Sequence, residues 1–342
     1  MSEQRSVDFG LWYDFRNPDK GRPFERFYAE ILDQVAYAEL LGIGSVWLSE
    51  HHFSDDGYTP SPLVVAAALG ARTERLKIGT NLMLLPLHDP VRVAEDTATL
   101  ALLSGDRFRL GVGLGYRELE YRAFGRSIRQ RPSLLEEAVE ILRRAWSGEP
   151  VAFEGRRFQV PDVRVTPTPR TPPPLLIGAL TPPAIERAAR IGDGFLSSSN
   201  DHHATYLDAV ARLGRDPADA AIYAGQWAIV DADPERTWAE IGPHALYQLN
   251  EYIGWGAFGP PDQVPAFADP QAILDAGSYQ LWDGPTAVER LVTLLQERPQ
   301  IRDVHFWAQL PGEAVERGTR RIEFLARQVM PEVRKRLQKE QE

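Results

Sequence analysis

The sequence predicts an α/β protein, a (β/α)8 TIM barrel with insertions, spanning residues 1–342 as one domain. Three observations predict it. Eight short apolar runs recur along the chain, and nearly all precede a longer stretch whose apolar residues fall at helical spacing. Strict strand–helix alternation requires parallel strands joined by right-handed crossovers. Eight such units in 342 residues match the size of a closed barrel. The competing open, doubly wound sheet needs a G-x-G-x-x-G turn after its first strand. Here Gly10-Leu11-Trp12 has no glycine partners.

The first strand is expected at Val7–Trp12. The following helix covers Phe24–Leu41, with Phe27, Ile31, Val35, Ala38 and Leu41 on one face and Gly42 as its stop. Ser45–Leu48 is a strand. Ser61–Ala71 is a helix with Pro62 in its first turn, where a missing N–H costs least. Leu76–Leu85 is a strand ended by Pro86, and Pro90–Leu103 a helix. Phe108–Val112 runs as a strand into Gly113-Leu114-Gly115, and Pro132–Trp146 is a helix. The rhythm then breaks. Residues 151–165 read as a hairpin insertion turning at Glu154-Gly155. PTPRTPPP (167–174) is a rigid loop feeding the strand Leu175–Gly178. Strands at Gly194–Ser198, Ile222–Val230 and Val304–Trp307 alternate with helices at Pro182–Ile191, Ala204–Leu213, Pro234–Tyr252, Thr286–Arg298 and Glu313–Leu337. Residues 254–284 are rich in Gly, Pro and Asp with broken periodicity, and read as a lid-like insertion.

Composition narrows the function. Hydrophobic residues at 43% and charged residues at 25% describe a soluble globular chain. A net charge of -10 speaks against a nucleic-acid surface. The absence of cysteine removes disulfides, thiolate nucleophiles, zinc–cysteine sites and iron–sulfur clusters together. MSEQRSVDFG has no apolar signal core and no run reaches the length of a membrane span, so a cytoplasmic protein without a membrane partner is expected.

In barrels of this kind the chemistry sits where strands run into the loops that follow them. Those positions hold Trp12, then Glu50-His51-His52, Asn81-Leu82, Gly113 and Tyr116, Gly178, Leu180 and Thr181, Ser198 and Ser199, Trp227, and Trp307. At Glu50-His51-His52 two of the seven histidines stand side by side behind a carboxylate. Neighbouring side chains on an extended chain point opposite ways, and H-E-x-x-H spacing is absent, so no metal is expected. Imidazole titrates near neutrality and suits general acid–base work; a histidine buried for structure is the competing reading. Gly113-x-Gly115 suits close approach to a flat ligand or a phosphate, or simply a tight turn. Thr181 before Pro182-Pro183 reads as a helix cap on the rim. No G-x-S-x-G elbow supports a serine hydrolase.

SVWLSEHHF (45–53), the run from Tyr58 to Gly125, PPLLIGALTPPAIERAARIGDGF (173–195) and Val329-Met330-Pro331 together resemble the bacterial-luciferase-like superfamily of flavin- and deazaflavin-dependent oxidoreductases. The resemblance covers nearly the whole chain. It implies a (β/α)8 barrel, a homodimer and a redox ring across the barrel mouth. It makes His51 the acid–base group, with Glu50 and His52 beside it. It places a non-prolyl cis peptide at Asn81–Leu82 behind the ring and makes Gly113 the small residue that leaves room for it. Thr181 stands where a hydroxyl meets the cofactor phosphate, with Tyr116, Gly178, Ser198 and Ser199 around the same cofactor. Two positions depart from the luciferases: Leu114 replaces a basic phosphate contact and Leu180 an acidic residue. Arg131 is the candidate replacement charge. The deazaflavin branch carries Ser-Asp-His after strand two and, in its sugar-phosphate dehydrogenases, a glutamate just past the strand-four glycines. Ser49-Glu50-His51 and Tyr116 stand here instead, which tilts the reading toward FMN.

What the resemblance implies is a two-component monooxygenase. It would use reduced FMN from a separate flavin reductase, and O2, on a small, largely apolar substrate held by Trp12, Trp227 and Trp307. The alternative is a hydride-transfer oxidoreductase using the deazaflavin coenzyme F420. A third is a flavin-binding protein without catalysis.

Overall fold

A computed structural model describes residues 7–18 and 22–339. Eight parallel strands close a barrel: β1 (Asp8–Tyr13), β2 (Ser45–Leu48), β3 (Lys77–Thr80), β4 (Phe108–Val112), β5 (Leu175–Gly178), β6 (Gly194–Ser197), β7 (Ile222–Gln226) and β8 (Ile301–Trp307). They pair in the order β1-β8-β7-β6-β5-β4-β3-β2. Helices cover the outside and side chains fill the inside, so every residue of β2, β6 and β7 is buried. Burial on both faces is why these strands read as continuous apolar runs rather than alternating ones. The register sets Trp12 of β1 beside Trp47 of β2 on one side and Trp307 of β8 on the other.

Local chemistry fixes the element ends. Asp89 caps the helix Pro90–Ser104 by accepting from the Val91 and Arg92 amides, and Gly105 ends it in the left-handed region at φ 62°. The insertion at 151–165 is an antiparallel pair, Val151–Glu154 with Gln159–Val163. Among the described residues no helix is long and apolar enough to cross a membrane.

Four departures from the sequence reading matter for the site. β3 stops at Thr80 rather than Leu85: the Asn81–Leu82 peptide is cis, only Met83 still bridges Val112, and a short 3-10 turn follows at Leu85–Leu87. The strand expected at Ile222–Val230 is two strands. Its barrel part ends at Gln226, and Ala228–Val230 leaves to pair in parallel with Gln280–Trp282. Residues 254–284 are therefore not all lid: they carry the helix Pro270–Asp275 and that outer strand, and Ile273 and Tyr279 are buried. Finally, a short helix, Glu118–Ala123, stands in the loop after β4.

Candidate active site

The C-terminal ends of β2 and β4 bring a proton relay together. His51, just past β2, is 5% exposed. Its Nδ1 lies 2.9 Å from Glu120 Oε1 and its Nε2 2.8 Å from the Tyr116 hydroxyl. Glu120 is wholly buried, and the same oxygen accepts the His52 amide at 2.8 Å while Arg117 pairs with it at 3.3 Å. An oxygen that already accepts from an amide is an acceptor toward His51, so Nδ1 carries the proton and Nε2 accepts from Tyr116. Burial lowers the His51 pKa, and Glu120 opposes that only in part, so the imidazole is neutral at pH 7. Burial likewise raises Tyr116 well above the ordinary phenol, so its hydroxyl remains a donor.

His52 points the other way, as alternation requires. Its Nε2 lies 2.8 Å from Glu50 Oε1, and His88 Nε2 lies 2.7 Å from the same oxygen. Glu50 Oε2 accepts the Leu84 amide at 2.6 Å. Burial works to raise the Glu50 carboxyl, but His88, His52 and these hydrogen bonds outweigh it and hold it at about 2. Glu50, His52 and His88 are the one group among the described residues whose ligand atoms could surround a metal ion. The two imidazoles already share the carboxylate as hydrogen-bond donors, and that accounts for the arrangement. Glu50 is thus a brace between the loops after β2 and β3.

Aromatic rings cover this side of the mouth. Trp12 and Trp307 stack at 4.2 Å, and Trp227 meets both edge-on at 6.1 and 5.6 Å. Tyr58 and Trp255 lie 4.8 and 5.1 Å from the His51 ring, and the Tyr58 and Tyr252 hydroxyls bond at 2.9 Å. Trp255 also packs under Arg117 at 4.3 Å. The three tryptophans expected in the pocket are together, but Tyr58, Tyr252 and Trp255, which close over His51, had no signal in the sequence.

The ends of β4, β5 and β6 form the other half. Arg131 bonds the Gly115 carbonyl at 2.7 Å, against the β4 loop. Thr181 precedes the helix Pro182–Ile191, yet its side chain makes no capping bond, so the cap reading does not account for its hydroxyl. Leu180 is 45% exposed. Ser199 accepts the Asp201 amide at 3.3 Å, and Ser198 is half-buried beside it. Gly113, expected to leave room for a ring, and Gly178, expected beside the cofactor, both face the Leu82 side chain. A Cβ at either would lie 2.6 or 2.4 Å from Leu82 Cδ2, so these glycines make room for the Leu82 side chain.

Asn81 links the mouth to the barrel interior. Its carbonyl accepts from Trp12 Nε1 at 3.0 Å and from Ser49 Oγ at 3.1 Å. Its side-chain Nδ2 lies 2.9 Å from His305 Nε2, and His305 Nδ1 lies 2.8 Å from Asp303 Oδ1. Neither His305 nor Asp303 was singled out from the sequence.

A closed parallel barrel with an imidazole–carboxylate relay at its C-terminal mouth defines a (β/α)8-barrel enzyme. The chain belongs to the luciferase-like monooxygenase family, whose model matches residues 7–284. Among curated proteins it is 31% identical over 199 residues to an F420-dependent glucose-6-phosphate dehydrogenase of Amycolatopsis mediterranei, covering 56% of this chain and 60% of that one. It is 32% identical over 209 residues to an F420-dependent hydroxymycolic acid dehydrogenase of Mycobacterium tuberculosis, covering 57% and 58%. The match thus spans about three fifths of these relatives' length. Solved structures share the fold. The FMN-bound oxygenating constituent of a 3,6-diketocamphane monooxygenase of Pseudomonas putida gives a TM-score of 0.78 at 18% identity, covering 96% of this chain and 98% of that one. An F420-dependent secondary alcohol dehydrogenase holding an F420-acetone adduct gives 0.72 at 20%, covering 96% and 99%. Relatives by sequence use F420, and neighbours by structure use FMN or F420.

Proposed function

We propose that this protein is a coenzyme F420-dependent oxidoreductase acting on a small, largely apolar alcohol or its carbonyl product. The observation that carries it is the buried Glu120–His51–Tyr116 relay. The tilt toward FMN rests on two departures from the deazaflavin branch, Glu50 in place of its aspartate and Tyr116 in place of a glutamate. Glu120, from the short helix 118–123, supplies a carboxylate to His51 and weakens the second ground. The curated relatives, named as F420-dependent dehydrogenases, point the same way.

Groups that such a cofactor would need stand at the strand ends. The free Thr181 hydroxyl, half-buried Ser198 and Arg131 offer donors to a phosphate-bearing tail, and Asn81 and His51 flank the place for a ring. When bound, the deazaflavin supplies the hydride chemistry. His51, neutral and with Nδ1–H held by Glu120, takes a substrate hydroxyl proton at Nε2 or through Tyr116. Glu120 offsets the positive charge that then forms on the ring, while the Arg117 guanidinium opposes it and so favours return of the proton. Trp12, Trp227 and Trp307 exclude water and hold the apolar part of the substrate. Trp255, one of the rings that cover His51, is flanked by Gly254 and Gly256, the latter at φ 86°, which suits a movable cover.

A second reading, the reduced-FMN monooxygenase fed by a separate reductase, draws on the family model and on the fold of FMN-bound neighbours. Titration of the apoprotein with F420, FMN and reduced FMN under anaerobic conditions, followed by ligand fluorescence, separates the two. Tight binding of F420 is expected; tight binding of reduced FMN with none of F420 would overturn the leading reading.

A further inference from the structure

The barrel interior holds a polar line that the relay does not use. Asp303 and His305 are both wholly buried in β8. Asp303 Oδ1 lies 3.0 Å from Trp47 Nε1, which can only donate, and Ser45 Oγ bonds Oδ2. The oxygen is therefore an acceptor, and His305 Nδ1, 2.8 Å away, carries a proton toward it. Trp12 and Trp47 pack on the His305 ring at 5.4 and 5.3 Å. Glycine on both neighbouring strands keeps its space open: a Cβ at Gly225 would lie 3.1 Å from His305 Nε2, and one at Gly10 3.0 Å from His305 Cβ. With Nδ1–H committed to the carboxylate, Nε2 is left as the acceptor of the ring. Asn81 Nδ2, 2.9 Å away, meets that acceptor. A side-chain amide held by its nitrogen must turn its oxygen the other way. Asn81 Oδ1 has no protein partner among the described residues, and Asn81 stands at the mouth just past β3.

We propose that the Asp303–His305 pair locks the Asn81 amide so that Oδ1 is a fixed acceptor presented to the bound ligand. The ligand group that meets it is then a donor, a ring N–H or an alcohol O–H, and not a carbonyl or an unprotonated ring nitrogen. His305 is a positioning residue here, acting through Asn81. The ligand part of the inference rests on the reading that a flavin or deazaflavin binds at this mouth; the amide orientation does not.

The test has two arms. In the apoprotein, long-range 1H–15N correlation of the histidine side chains is expected to show His305 as the neutral Nδ1–H tautomer at pH 7. A doubly protonated ring or an Nε2–H tautomer would overturn the proposal, because Asn81 would then present its NH2. In the second arm the dissociation constants of F420 and FMN, each oxidised and reduced, are measured for wild type and for His305→Gln, His305→Leu and Asn81→Leu. His305→Gln keeps an acceptor for Asn81 and is expected to bind near wild-type strength. His305→Leu and Asn81→Leu are expected to weaken the ring form preferred by wild type about tenfold, the scale of one hydrogen bond. Equal weakening by His305→Gln and His305→Leu would mark a packing role and overturn the proposal. If wild type binds none of the four, the functional reading fails, and the tautomer alone decides the orientation of Asn81.

Discussion

At the scale of single residues, the chemistry turns on where protons sit. His51 accepts at Nε2 because Glu120 holds Nδ1–H, and burial lowers its pKa. The acid limb of a rate–pH profile is therefore expected below the ordinary imidazole range. Glu120 is the group that pulls the pKa up, so Glu120→Gln moves that limb to still lower pH; a limb moving upward would contradict the assignment. His51→Ala is expected to lower kcat/KM by roughly 10²- to 10⁴-fold, the usual worth of a positioned general base, with cofactor binding retained. Glu50 makes a different prediction. Its folded pKa of about 2 lies below the ordinary 4.5, so its stabilisation is present above 4.5 and lost as pH falls toward 2. Glu50→Gln is expected to cost roughly 3 kcal/mol in urea unfolding at pH 7, the shift converted at about 1.4 kcal/mol per unit, and progressively less in acid. The sequence singled out His51 and Glu50 by their place after an apolar run. It did not reveal Glu120, His88 or His305. Glu120 reaches His51 across 69 positions and His305 reaches Asn81 across 224, and no local pattern marks such pairs.

At the scale of elements, most boundaries were legible because proline and glycine punctuate them: Pro62, Pro90 and Pro182 open helices within their first turn, and Gly105 closes one. The errors fell where the chain leaves the regular path. Composition and broken periodicity marked 254–284 as a lid-like insertion, yet Gln280–Trp282 gains strand structure by pairing with Ala228–Val230. The helix His202–Arg212 after β6 makes its own prediction. His203 is buried with both ring nitrogens unpartnered, and burial, with Arg298 nearby, lowers its pKa to about 4. Between that value and the ordinary 6.5 the unfolded chain binds the proton better, so stability is full above 6.5 and falls as pH drops toward 4. Thermal unfolding from pH 7 to 5 is expected to show this decline in wild type and a shallower one in His203→Phe.

At the scale of the whole molecule, the helices Pro62–Arg72 and Pro90–Ser104 pack side by side and leave Val64, Leu102 and Leu103 exposed. Exposed apolar side chains on two neighbouring helices suit a second copy of the chain. Light scattering is expected to give twice 38.4 kDa for wild type and a shift toward monomer for Leu103→Glu; a monomeric wild type would end the homodimer expectation. The sequence by itself determined the barrel. Parallel strands buried on both faces, each followed by an amphipathic helix, leave a one-dimensional pattern of apolar runs and turn residues that survives without knowledge of any contact. It also placed the residues that end each strand, and through them the mouth. Only the tertiary structure decided what those residues do to one another. Barrel closure sets β1 against both β2 and β8, and brings Glu120 to His51, Trp255 against the His51 ring, and His305 within reach of Asn81. A hydrogen bond fixes a tautomer through a distance of about 3 Å in space, and separation along the chain carries no trace of that distance.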